Sequence, residues 1–396
     1  MFKSNPLLAN RNLHLIFGVT LISVMGVASI TPAFPEVIRH FQITARQVGW
    51  LIAAFTLPGI FLTPLAGILA DRYGRKLILV PSLVLFGVAG LACFFIRDYQ
   101  WLLGMRFVQG VGASSLATIN ITLIGDLFTA ENRVAAMGYN ASVLSVGTAL
   151  YPALGGMLSA FGWPMVFLLP VLAVPLAWLV FTRLNNPEPT GRLTLKTYFS
   201  NIWQTINRQI VWGLFIANIL LFVVLYGAYL TYFPLLLGTR MGSGSVIIGG
   251  SMSLMSAVTA FTSFQLPRIN EILRPKSQLL LATVLYCCSM LLLSKAFHWP
   301  EIFLGLIVFG MGHGILIPAI QNLMVGLASI RERAAFMSLN SMVLRVGQTA
   351  GPGLMGICYG IGGITYAFYG GAVVAASMFV VVFFLVNPKV AGPAKG

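Results

Sequence analysis

Runs of about 20 apolar residues, separated by short clusters of charge, glycine and proline, recur along the whole chain. Each is long enough to cross a hydrocarbon core about 30 Å thick as a helix. In that solvent every backbone polar group must be satisfied internally, and runs of this length do so as helices. The 396 residues are 58% hydrophobic and 8% charged. A soluble domain carries roughly a quarter charged residues, so there are too few charges to clothe a water-facing surface. The punctuation predicts twelve spans, near 13–35, 46–70, 77–96, 101–124, 134–160, 164–183, 210–236, 244–266, 278–297, 301–326, 335–360 and 365–386. The first run, Leu13 to Phe34, is too long for the apolar core of a signal peptide and reads as a retained helix.

A net charge of +15 raises the question of nucleic acid, and the positions of the charges answer it. Arg39, Arg46, Arg97, Arg240 and Lys295 fall on one side of the predicted topology, Arg106 and Arg345 lie within spans, and the other seventeen cations fall on the opposite side. The rich side is expected to be cytoplasmic by the positive-inside rule. With an even number of crossings, both termini are expected there too, in a multi-pass protein of the cytoplasmic (inner) membrane. The basicity is topology, so no nucleic-acid partner is expected; the partners are the lipid bilayer and a small-molecule substrate, with the chain acting as a monomer. Cys93, Cys287, Cys288 and Cys358 lie in or beside apolar runs without metal spacing, so neither a disulfide nor a metal site is expected.

The longest polar interval, 184–209, divides the chain into residues 1–183 and 210–396 with six spans each. The halves repeat at an offset of 200. Asn140, Gly147, Pro152, Leu154 and Gly156 recur as Asn340, Gly347, Pro352, Leu354 and Gly356, and Gly110 and Gly112 recur as Gly310 and Gly312. A Gly/Pro/Asn framework held at one offset marks duplication. The fold class predicted is an all-α membrane protein, twelve transmembrane helices in two pseudo-symmetric six-helix bundles, a plan suited to transport at a repeat interface.

Three stretches carry a further signal. Gly67-Ile-Leu-Ala-Asp71-Arg72-Tyr-Gly74-Arg75-Lys76 packs four cations or anions between two apolar runs and must be a turn at one membrane face. Asp71 at a helix C-terminus opposes the helix dipole and needs a cationic partner, for which Arg72 and Arg75 are at hand; Asp126 is a second acid near Arg75. The second stretch runs from Leu102 through Arg106 and Gln109 to Gly112, and the third comprises Gly138, Gly147, Pro152, Gly155 and Gly156. Together they resemble the major facilitator superfamily, and within it the twelve-helix drug:proton antiporter group. The resemblance covers the chain and implies the predicted fold, a gating role for Gly67, Asp71, Arg72, Gly74, Arg75, Lys76 and Asp126, and proton coupling through Arg106. Where the group has glycine before the helix 5 proline this chain has Tyr151; a Gly-Pro pair stands in helix 11, at Gly351-Pro352. Gly147, Pro152, Gly155, Gly156, Gly347, Gly351 and Pro352 permit bending and close packing.

Intramembrane ionisable residues mark function by default. Arg106, His313 and Arg345 are the candidates here, with Asn140, Tyr226 and Tyr229 as pocket residues contacting substrate or coupled protons. All nine acids fall at span ends or in loops, which disfavours a cationic cargo. The expected function is secondary transport of small amphipathic molecules by alternating access, as proton-coupled drug or metabolite efflux. The alternative is transport of an organic anion or anionic lipid-like substrate, by symport or facilitated movement, with a proton and the anion binding together at His313. No nucleophile–base set or metal cluster is present, the four histidines are scattered, and no P-loop is found, so neither an enzyme nor an ATP-driven pump is expected and no cofactor beyond a proton gradient. A non-transporting sensor would need a soluble domain.

Overall fold

The computed structural model describes residues 7, 10–185, 208–327 and 333–386. Most of the predicted 184–209 linker lies outside the described residues. Long apolar helices account for nearly all that is described. They are α1 (Arg11–Phe41), α2 (Ala45–Tyr73), α3 (Arg75–Phe95), α4 (Tyr99–Leu127), α5 (Ala130–Ser159), α6 (Trp163–Arg183), α7 (Gln209–Arg240), α8 (Ser245–Phe264), α9 (Pro275–Ser294) and α10 (Trp299–Leu327). The last helical stretch, Arg333–Leu385, breaks at Gly362 and Gly363, the latter at φ 72°. That break makes two helices, α11 (333–361) and α12 (364–385), and completes the predicted twelve.

The offset of 200 survives in the packing. A Cβ added at Gly110 would stand 2.1 Å from the Phe55 carbonyl oxygen, and one at Gly310 would stand 2.9 Å from that of Met255. Gly112 meets the backbone at Ser82 and Phe86, and Gly312 meets Ala282 and Tyr286. These glycines let α4 lie on α2 and α3, and α10 lie on α8 and α9, closer than any side chain would allow. Asparagines follow the same rule. Asn140 accepts from Thr20, whose hydroxyl accepts from Asn120, tying α5 to α1 and α4; Asn218 donates to Asn340 at 2.8 Å, tying α7 to α11.

The turn at 67–76 defines one end of the bundle, called here the motif end. Gly74 sits at φ 100°, which only glycine adopts freely, and this reverses the chain from α2 into α3 without a loop. Antiparallel connectivity then puts Trp50, Pro152, Ser245 and Pro352 towards the opposite, far end. The two halves meet there along α5–α8 and α2–α11. Near the motif end they part: from Asn132 to Val146 on α5, Ala136 alone is buried.

Candidate functional site

Between the halves, at mid-depth, lies a cavity of about 330 Å³, at the small end of the range for ligand pockets. Its walls come from equivalent positions of the duplicated halves: Phe55 is matched by Met255, Thr56 by Ser256, Ala113 by His313, and Thr148 by Gln348. The N-terminal wall is apolar apart from hydroxyls. The C-terminal wall carries Tyr226, Tyr229, His313, Arg345 and Gln348.

Each of those side chains is placed by a local feature. Residues Val223–Tyr232 of α7 wind as a π-helix, the kind of local widening that collects at functional sites. Gly227, inside that run, lies against the backbone of Gly351. Tyr226 and Tyr229 both reach the cavity. Tyr229 stacks on Phe309 with ring centroids 4.8 Å apart, and Phe309 stacks parallel to His313 at 6.0 Å. The His313 Nδ1 is hydrogen-bonded to the Tyr286 hydroxyl, which locks the imidazole edge. Arg345 crosses to the other half, seated on Gly59 of α2; a Cβ added there would meet its Cδ at 2.4 Å and its Nη1 at 2.5 Å.

Arg106 occupies a different place. Its side chain is 1% exposed and lies outside the cavity lining, 4.4 Å behind the Phe55 ring. It donates to the Gly26 carbonyl at 2.8 Å, the Leu51 carbonyl at 3.3 Å and Gln109 Oε1 at 2.7 Å. A guanidinium is well shaped for such multiple bonding, and here it ties α1, α2 and α4 together. Asn140 likewise serves a tie between helices and is outside the lining. The structure thus brings His313, Arg345, Tyr226 and Tyr229 together and leaves Arg106 and Asn140 apart from them. Gln348, Gly59 and Tyr286 are additions the sequence reading missed. Gln348 was detectable as an amide in an apolar span one turn from Arg345, whereas nothing local marks Gly59 or Tyr286.

The far end is closed by the Gly/Pro sets. A Cβ at Gly249 would stand 2.2 Å from the Pro152 carbonyl oxygen, and one at Gly156 would stand 2.3 Å from that of Ser245. The equivalent crossing in α2 and α11 sets Gly49 against Pro352 at 3.0 Å. Two hydrogen bonds span the halves nearby, Ala153 N–H to Ser253 Oγ at 3.1 Å and Thr56 with Thr349 at 2.9 Å. Gly155 packs on the Ser29 carbonyl, and Gly347 on that of Ile219, each within its own half.

At the motif end Arg75 bonds Asp71 of the preceding helix and, through Nε at 3.0 Å, Asp126 at the end of α4. All three belong to the N-terminal half. Arg72 lies 5.3 Å from the Tyr73 ring. Lys76 reaches the Leu184 carbonyl at 3.4 Å, and its counterpart Lys276 reaches that of Phe383 at 2.6 Å. Gly67 meets only Thr118 Cγ2, at 3.9 Å, and Gly138 meets nothing within 4 Å; neither is demanded by packing in this arrangement.

A cavity between duplicated helical halves, closed at one end by crossings that bury no covalent link, defines a membrane transporter rather than an enzyme. The chain belongs to the Major Facilitator Superfamily, whose profile matches residues 16–294 and 253–396. Among curated relatives, Multidrug resistance protein 1 of Bacillus subtilis (strain 168) is 24% identical over 374 residues, 91% of this chain and 92% of that one. The Bacillibactin exporter of the same organism is 25% identical over 357 residues, 86% and 88% of the two chains. Of solved structures, a D-xylose-proton symporter matches with TM-score 0.75 at 14% identity, covering 96% of this chain and 99% of the other; that likeness speaks to the fold.

Proposed function

We propose that this transporter exports small amphipathic molecules across the cytoplasmic membrane by alternating access, driven by the proton gradient. The observation that carries the reading is the two-sided cavity, apolar on its N-terminal wall and polar on its C-terminal wall. A molecule with one apolar and one polar face matches both walls at once. The names of the two Bacillus subtilis relatives, one a multidrug resistance protein and one an exporter, point the same way.

In this reading the motif end faces the cytoplasm, where seventeen of the cations lie by topology, and the cargo enters from there while the far end is closed. The Asp71–Arg75–Asp126 cluster, paired within the N-terminal half, stiffens its cytoplasmic mouth and is that half's part of the latch, which closes on the C-terminal half when the far end opens. His313, held by Tyr286 in the cavity wall, carries the proton. The monomer, surrounded by lipid, is the working unit, and no cofactor beyond the proton gradient is needed.

Inverted proteoliposomes with an imposed pH gradient test the reading, with the amphipathic probe 8-anilinonaphthalene-1-sulfonate as cargo. Accumulation that follows the gradient and collapses with a protonophore is expected. Accumulation indifferent to the gradient would overturn proton coupling, and its absence in every gradient would overturn export of this class.

A further inference from the structure

The hydrogen-bonding capacity of the cavity is lopsided. Its small hydroxyls return their protons to their own helices: Ser23 to Thr20, Thr148 to Ser145, Ser256 to Met252 and Thr259 to Met255. On the opposite wall, Arg345, Gln348 and the hydroxyl of Tyr226 make no hydrogen bond or ion pair to any described residue. The Tyr229 hydroxyl is fully buried and also has no partner. Tyr226 and Arg345 line the same cavity. Two other arginines differ, Arg106 inside a span and Arg240 at the far end of α7. Arg106 has three acceptors, and Arg240 has the Ser294 and Ala296 carbonyls and the Thr365 hydroxyl. No described Asp or Glu lines the cavity.

Arg345 is half-buried in the cavity wall, and a guanidinium held at membrane depth without protein acceptors is costly unless something supplies them. Three donors on one wall of the cavity, Arg345, Gln348 and the Tyr226 hydroxyl, one of them charged, call for a ligand group rich in acceptors and negative. The apolar wall opposite calls for a hydrocarbon or aromatic body on the same ligand. We propose that Arg345, Gln348 and Tyr226 form a subsite for the acidic group of an amphipathic organic monoanion, with Gly59 as the seat that positions Arg345. This rests on the export reading above and names its substrate class. Because Arg345 belongs to the C-terminal half and Gly59 to the N-terminal half, the anion binds where the halves touch, with its body against Phe55 and Leu144.

Isothermal titration of the purified protein in micelles, with three ligands of one shape, tests the subsite. These are 1-naphthylacetate, 1-naphthylacetamide and 1-naphthylethylamine as its cation, with sodium acetate as the acid group lacking a body. Acetate should bind at least about tenfold more weakly than naphthylacetate, and naphthylacetate at least about tenfold more tightly than the amide. Arg345→Gln should bring the acid-to-amide ratio near one, Arg345→Lys should keep part of it, and Gly59→Ala, which unseats the guanidinium, should reduce it. Thermal unfolding of each variant separates these losses from misfolding, and the ratio within one variant is independent of the folded fraction. A preference for the amine, equal binding of acid and amide, no binding of any probe, or an undiminished ratio in Arg345→Gln would each overturn the subsite. Transport of the same ligands into proteoliposomes is scored separately. Binding preference without transport would defeat the export reading and leave the subsite, and transport without preference would do the reverse.

Discussion

Replacing Gly249 by alanine adds one methyl group where α8 crosses α5, and it should open the far end. The new Cβ would stand 2.2 Å from the Pro152 carbonyl oxygen, a separation real carbons do not adopt, so the helices must part by on the order of 1 Å. Neither neighbour is a side chain that can swing away. Overpacking of this kind costs about 1–3 kcal/mol, which biases the far-closed to far-open equilibrium by roughly 5- to 150-fold. Alanine favours the helix over glycine by about 1 kcal/mol, but equally in both states, so that gain cancels. The equivalent change at Gly49 meets side-chain carbons, Pro352 Cβ at 3.0 Å and Thr231 Cγ2 at 3.3 Å, with the nearest backbone atom, the Arg46 carbonyl oxygen, at an ordinary 3.6 Å. A few tenths of an ångström relieve those contacts, and a bias of about twofold or less is expected. Spin labels at Phe161→Cys and Phe297→Cys, both exposed at the far end on opposite halves, report the opening by electron–electron distance. The four native cysteines are first replaced. Gly249→Ala should add a long-distance population that Gly49→Ala lacks. Identical distributions for wild type and Gly249→Ala, or equal shifts in the two variants, would refute the reasoning.

Arg106→Gln removes charged bonds to two backbone carbonyls and should cost about 3–5 kcal/mol, read as a lowered thermal-unfolding midpoint. An unchanged midpoint with lost transport would instead make Arg106 a direct participant. Asp126→Asn breaks a partly exposed pair, the side chains being 14% and 32% accessible, so stability should fall by less than about 1 kcal/mol; transport should fall at least about threefold, and full transport would count against the latch. Tyr286→Phe leaves His313 Nδ1 without its partner and should displace the pH profile of transport; an identical profile would count against His313 as the proton carrier.

The helices and the duplicated frame were legible in the sequence because each rests on a local rule. Twenty apolar residues span a bilayer whatever surrounds them, and a backbone approach that demands glycine writes that glycine twice at one offset, as at Gly110 and Gly310. The buried cations were legible as cations but not by what they serve. Arg106 and Arg345 look alike in an apolar run. The carbonyls that hold Arg106 come from residues 80 and 55 positions away, while Arg345 has only the bare backbone of Gly59 beneath it. The π-helical stretch of α7 is equally silent, since the backbone that Gly227 meets there, at Gly351, comes from a helix far along the chain.

The pairing of cavity positions across the duplication has a practical consequence. Ala113 and His313, Thr148 and Gln348, and Ser145 and Arg345 are the same positions in two copies of one unit, yet every specialised side chain is in the second copy. The first copy is a neutral scaffold and the second is a dial. On the proposed reading, cargo preference can drift, or be re-engineered, through a handful of substitutions in α7, α10 and α11 while the crossings at Pro152 and Pro352 stay untouched, so that selectivity is separable from gating.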